Sequence, residues 1–120
     1  MTIQTDDEWK LLYYQERDGR MPFREWQASL VDRIAEAAIR SRLERMRVGL
    51  FGDCKAVGEG VSEFRVDTGS GYRGYFFRAG RRLILLLCGG DKGTQDADIE
   101  RAKKYRRDYE KRIRAAVGPR

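Results

Sequence analysis

The sequence predicts an α+β domain, a small antiparallel-dominated sheet of about four strands with an N-terminal helical hairpin on one face and a C-terminal helix. Three observations predict it. Apolar positions recur at three- and four-residue steps in 32–46 and 95–115, side-chain character alternates through 61–67, and 83–88 is apolar throughout. At 120 residues the chain, 1–120, reads as one domain, long enough to bury about two thirds of its unfolded surface. Residues 1–8 and 116–120 are expected to be flexible ends.

Residues 9–14 are aromatic-rich and read as a first strand, followed by a turn at Asp18-Gly19. Pro22 suits a first helical turn, and Phe23, Trp26 and Leu30 follow at helical spacing, which predicts a short helix over 22–30. From Asp32 a second helix carries Ile34, Ala35, Ala38, Ile39, Leu43 and Met46 on its apolar side, with Arg40, Arg42, Glu44, Arg45 and Arg47 filling much of the rest. Gly49 ends it. Residues 52–60 read as a loop that can hold a short strand over 55–57.

Through 61–67, Phe64 and Val66 point one way and Glu63, Arg65 and Asp67 the other. Gly69-Ser70-Gly71 signals a hairpin, 71–78 is its return strand, and Ala79-Gly80-Arg81 turns into the apolar run that should be the central strand. Gly89-Gly90 predicts a sharp change of direction. Thr94 is a plausible N-cap, and Asp96 and Asp98 suit the positive end of the last helix. That helix shows a narrow stripe of Ile99, Ala102, Tyr105, Tyr109 and Ile113 among many lysines and arginines.

With 37% charged residues, a formal charge of +6 and a pI near 9.6, the chain favours an anionic partner, nucleic acid first and an acidic protein second. Cys54 and Cys88 lack CxxC spacing and read as small apolar residues, and no apolar run approaches membrane length. A cytoplasmic, reduced protein without membrane contact is expected. The absence of histidine removes the usual metal clusters and every histidine-based catalytic arrangement, so catalysis would fall to Lys, Arg, Tyr, Asp or Glu. No cofactor is expected: the glycine-rich stretches lack the spacing of a nucleotide cradle.

If the hairpin centres on Gly69, Arg65 falls opposite Arg73 and Glu63 opposite Tyr75, with all four side chains on one face. Directly opposed arginines repel, so the arrangement makes sense if Glu63 offsets them or a phosphate sits between them. An uncovered sheet face would also carry charges merely for solubility. Asp91 and Lys92 follow the apolar strand and stand next to that face, or in an exposed loop. Lys103, Lys104 and Arg107 on the last helix, with Tyr75, are the expected RNA contacts, although a basic helix face has the same plain explanation. Arg73 and Lys92 are both expected outside the core.

The run GYRGYFF, then LILLLCGGDKGTQDADI leading into a basic helix, resembles the C-terminal half of the RelE/ParE toxin superfamily, nearest its HigB-like, phage-derived addiction module killer branch. The resemblance implies the compact RelE-like fold and the toxin of a type II toxin-antitoxin system. Many members cleave messenger RNA on the ribosome, without a metal, by attack of a ribose 2′-OH on the adjacent phosphate. It implies a helix-turn-helix, HigA-like antitoxin as partner, besides ribosome and mRNA. The family's phosphate-holding arginine falls on Arg73 and its basic residue after the last strand on Lys92. Arg65 lies in a strand where relatives often carry a basic active-site residue. Glu63 stands near a position that is lysine in some relatives, which leaves the general base open between Glu63 and Asp91. Two other readings accompany this one: a ParE-like inhibitor of DNA gyrase that performs no hydrolysis, and a relative that only binds its antitoxin.

Overall fold

The computed structural model describes residues 8–118, so most of the ends expected to be flexible lie outside the described residues. The elements follow one another as β1 (Lys10–Tyr13), α1 (Pro22–Ser29), α2 (Arg33–Arg47), β2 (Cys54–Gly58), β3 (Val61–Val66), β4 (Tyr72–Ala79), β5 (Leu83–Asp91), a single 3₁₀ turn (Lys92–Thr94) and α3 (Gln95–Val117). Among the described residues five strands form one sheet in the order β1-β5-β4-β3-β2. The expected count of about four rises by one because the weak pattern at 55–57 is a strand, β2, antiparallel to β3. β1 pairs in parallel with β5, and every other neighbour pair is antiparallel.

Local chemistry sets the helix ends. Pro22 opens α1. Asp32 caps α2, its side chain accepting from the amides of Ile34 and Ala35, and Gly49 follows that helix with φ +86°. Helix α3 starts at Gln95 as expected, but Thr94 makes no capping hydrogen bond; Asp91 caps the preceding 3₁₀ turn instead, accepting from Gly93 and Thr94.

Both sheet faces are covered. Phe23 of α1 and Ile39, Leu43 and Met46 of α2 pack on Phe64, Val66, Phe76, Ile84 and Leu86. On the other face Ala102 of α3, with the partly buried Ile99, Tyr105 and Tyr109, packs on Tyr14, Val61, Tyr75, Leu85, Leu87 and Cys88. The face that carries the arginine pair is therefore a second core layer rather than an uncovered face. Two residues of the expected apolar stripes stay outside: Ile34 is 74% exposed and Ile113 48%. Ile34 lies in the first turn of α2, beside Val31, which is also exposed, and Ile113 sits where α3 nears its end.

The glycines at 89 and 90 do not turn the chain. β5 runs through them to Asp91. A bulge between the Tyr75–Cys88 and Phe76–Leu86 pairs places Leu87 and Cys88 on the same side, which shifts the alternation by one. Beyond it Gly89 faces α1 and Gly90 faces α3. A Cβ on Gly89 would meet the Trp26 ring at 2.1 Å, and one on Gly90 would meet Asp98 Oδ2 at 1.8 Å. Both positions require glycine for close approach, so the expected change of direction is replaced by a continued strand.

Candidate functional site

Strands β3 and β4 pair as their hairpin symmetry predicts, with Arg65 opposite Arg73 and Glu63 opposite Tyr75. Arg73 in turn pairs with Gly90 of β5, so one row across three strands carries two arginines and a bare backbone position. Gly69 and Gly71, both with positive φ, close the hairpin at this end, and the Lys92 amide donates to the Gly71 carbonyl at 3.3 Å. That bond ties the start of the 3₁₀ turn to the hairpin, and Lys92 itself is exposed.

Glu63 is the centre of the arrangement. Its side chain has no solvent exposure; Oε2 accepts from the Tyr75 hydroxyl at 2.9 Å and from Gln95 Nε2 at 3.0 Å. Its Oε1 faces Arg73 Nε at 3.6 Å and Arg65 Nε at 4.0 Å. Both Glu63 Oε1 and Arg73 Nε are buried without a hydrogen-bond partner among the described residues. The side chain of Arg73 is 11% exposed and that of Arg65 39%, so the pair runs from a nearly buried to a partly solvated arginine.

Burial and the hydrogen bond to Glu63 push the Tyr75 hydroxyl far above its ordinary pKa. It therefore stays protonated as a donor to Glu63. Fully buried beneath α3, Tyr75 has no face to offer an RNA base; an RNA contact at that position is corrected by the coverage of the sheet. Arg73 is likewise closer to the core than expected.

The basic positions of α3 divide. Arg107 pairs with Glu59 at 2.6 Å, and Lys103 pairs with Glu100 at 3.7 Å and lies against Gly58, so both face the β2–β3 turn. Lys104 is exposed and lines a separate hollow with Tyr14, Arg17 and Tyr105. None of the three joins Arg65 and Arg73; Lys103 lies roughly 12 Å along the helix from Gln95.

Three contributors escape sequence reasoning. Gln95, one polar residue among many, reaches back to Glu63. Arg42, which reads as surface filler on α2, donates to the carbonyls of Arg65 (2.7 Å), Asp53 (2.9 Å) and Phe51 (3.2 Å), fixing the strand that carries Arg65. Asp98 is 4% exposed rather than a solvated helix-start charge; Thr94 Oγ1 donates to it at 2.5 Å and Arg101 at 2.8 Å, which seats the first turn of α3 over Gly90. Only the glycine pair hinted at it.

An apolar groove of about 500 Å³, lined by Phe77, Leu83, Tyr109 and Ile113, lies at the opposite end of the β4–β5 pair and shares no residue with this cluster. Among the described residues no group of three Cys, Asp or Glu is placed to hold a metal ion, and no helix is long and apolar enough to cross a membrane.

A family described as phage-derived protein Gp49-like matches residues 23–111, from α1 through most of α3. The chain belongs to this Gp49-like family. A protein of Haemophilus influenzae, named only as an uncharacterized protein, is 46% identical to the Gp49-like chain over 83 residues, 69% of this chain and 84% of that relative. No solved structure matches. Membership in the Gp49-like family carries the phage-derived, addiction-module setting of the resemblance in general terms, without singling out its HigB-like branch.

Proposed function

We propose that the chain is the toxin of a type II toxin-antitoxin system and that it cuts messenger RNA on the ribosome. The observation that carries this reading is the opposition of Arg65 and Arg73 on one sheet face, at the end where Lys92 and the N-terminus of α3 also lie. Guanidinium groups held in a low-dielectric site bind phosphate oxygens strongly, and a helix start adds positive potential.

In the proposed reaction the ribose 2′ oxygen attacks the adjacent phosphorus as its proton passes to a carboxylate, Glu63 or Asp91. The bond from phosphorus to the 5′ oxygen breaks, leaving a 2′,3′-cyclic phosphate, and the departing oxygen takes a proton from water. Arg73 and Arg65 stabilise the charge on the non-bridging oxygens, and Lys92 the charge near the leaving group. Lys103, Lys104 and Arg107 contribute to the positive potential along α3 rather than to the reacting centre. A helix-turn-helix antitoxin of the HigA-like kind and a cytoplasmic setting belong to the same reading.

The test is induction of the chain in a bacterial host, with primer-extension mapping of mRNA ends while translation runs and while ribosomes are blocked. New cuts inside coding regions that need translation are the expected result. Growth arrest without cuts would overturn the nuclease reading in favour of a gyrase-type target, and no arrest would leave an antitoxin-binding relative.

A further inference from the structure

Glu63 is poorly placed to take a proton from RNA. A general base must come within hydrogen-bond reach of the group it deprotonates. The Glu63 carboxylate is sealed, with Tyr75 and Gln95 on one oxygen and two arginines before the other. The same placement suits a counter-ion. Cross-strand arginines repel each other, and a buried negative charge between them lets both guanidinium groups hold one position.

We infer that Glu63 is a positioning residue rather than the general base: clamped by Tyr75 and Gln95, it holds Arg73 and Arg65 ready for a phosphate group. This rests on the phosphate-binding reading of the site. The clamp is carried by α3, because Gln95 is its first residue and Asp98, seated over Gly90, fixes that turn against β5. Presentation of the arginines therefore depends on the first turn of α3 being docked. A phosphate entering beside Arg65 meets cations whose directions are already set, so less ordering accompanies binding.

The experiment uses the full chain with nitrogen-15 in its arginines. The Nε–Hε resonances of Arg65 and Arg73 are titrated with inorganic phosphate, then with a short RNA carrying a 2′-deoxy residue at the cutting position. Gln95→Ala and Tyr75→Phe should each broaden the Arg73 resonance and weaken binding of both probes about tenfold, the scale of one lost charge-assisted hydrogen bond. Thermal midpoints are measured alongside, so that loss of order at Arg73 in a folded protein separates positioning from general stability.

Glu63→Gln should weaken probe binding as well. If Glu63 were the base, that variant would bind phosphate as the parent does and lose only kcat, which would overturn the proposal. Unchanged Arg73 resonances and affinities in both Gln95→Ala and Tyr75→Phe would also overturn it, whatever the protein does to mRNA. A parent protein that binds the probes through Arg73 yet cuts nothing would defeat the nuclease reading and leave the positioning role standing.

Discussion

The carboxylate of Asp98 occupies the space that a side chain on Gly90 would need, with Oδ2 only 1.8 Å from the position of a Cβ. One atom therefore separates a docked helix start from a displaced one. Gly90→Ala should lower stability by about 1–3 kcal/mol, as overpacking does, and should weaken growth arrest by moving Gln95 away from Glu63. Urea denaturation and a plating assay measure the two effects; an unchanged denaturation midpoint would contradict this packing.

Arg73 and Lys92 differ in what their removal does. Lys92 is exposed, so Lys92→Ala should alter stability by no more than about 0.5 kcal/mol while abolishing growth arrest. Arg73→Ala strands the buried Glu63 carboxylate and should cost about 3–5 kcal/mol in addition to activity. Comparing unfolding curves with toxicity for both variants makes Lys92→Ala the cleaner probe of function. Full toxicity in the double mutant would sink the site assignment.

The register of the arginine pair was legible because Gly69-Ser70-Gly71 fixes the hairpin, and the alternation of 61–67 then decides the faces. Gly89-Gly90 misled because the same residue serves two needs, a turn and a close approach, and only the positions of Trp26 and Asp98 tell them apart. The bulge at Leu87 sits inside an unbroken apolar run, where no polar residue marks a change of face. Coverage of the arginine-bearing face was hidden for another reason. Tyr75 and Glu63 look like surface residues until the hydroxyl and the carboxylate find each other beneath α3.

Helix α3 should report its packing in graded fashion. Ile99 is only partly buried, so Ile99→Ala should cost about 1–2 kcal/mol, below the cost at a fully enclosed site. Phe76→Ala, in the opposite core layer, should cost about 3–5 kcal/mol. Equal losses at the two positions, read by thermal melting, would contradict the difference in burial.

Alkaline conditions should destabilise the protein. Burial pushes the Cys88 thiol up to about 12, and burial also raises the Tyr14, Tyr75 and Tyr105 hydroxyls. Each group holds its proton more tightly folded than unfolded, so its contribution is complete below the ordinary pKa and is lost as pH rises through the folded value. For Cys88 the window runs from about pH 9 to about 12, with a slope near 1.4 kcal/mol per pH unit. Urea midpoints from neutral pH upward measure it, and a flat profile across the window would refute the burial of these groups.

Among the described residues β1 is the first strand in chain order, yet its strand partner is β5, the last. Its pairing edge must wait while the whole length between them is made, a closure of high contact order. The arginine row is bound by the same timetable, since β3, β4, β5 and the first turn of α3 must all have left the exit tunnel before Gln95 can meet Glu63. A chain wired in this way cannot complete its arginine row from the N-terminal three quarters alone, because the glutamine that clamps Glu63 comes after the last strand.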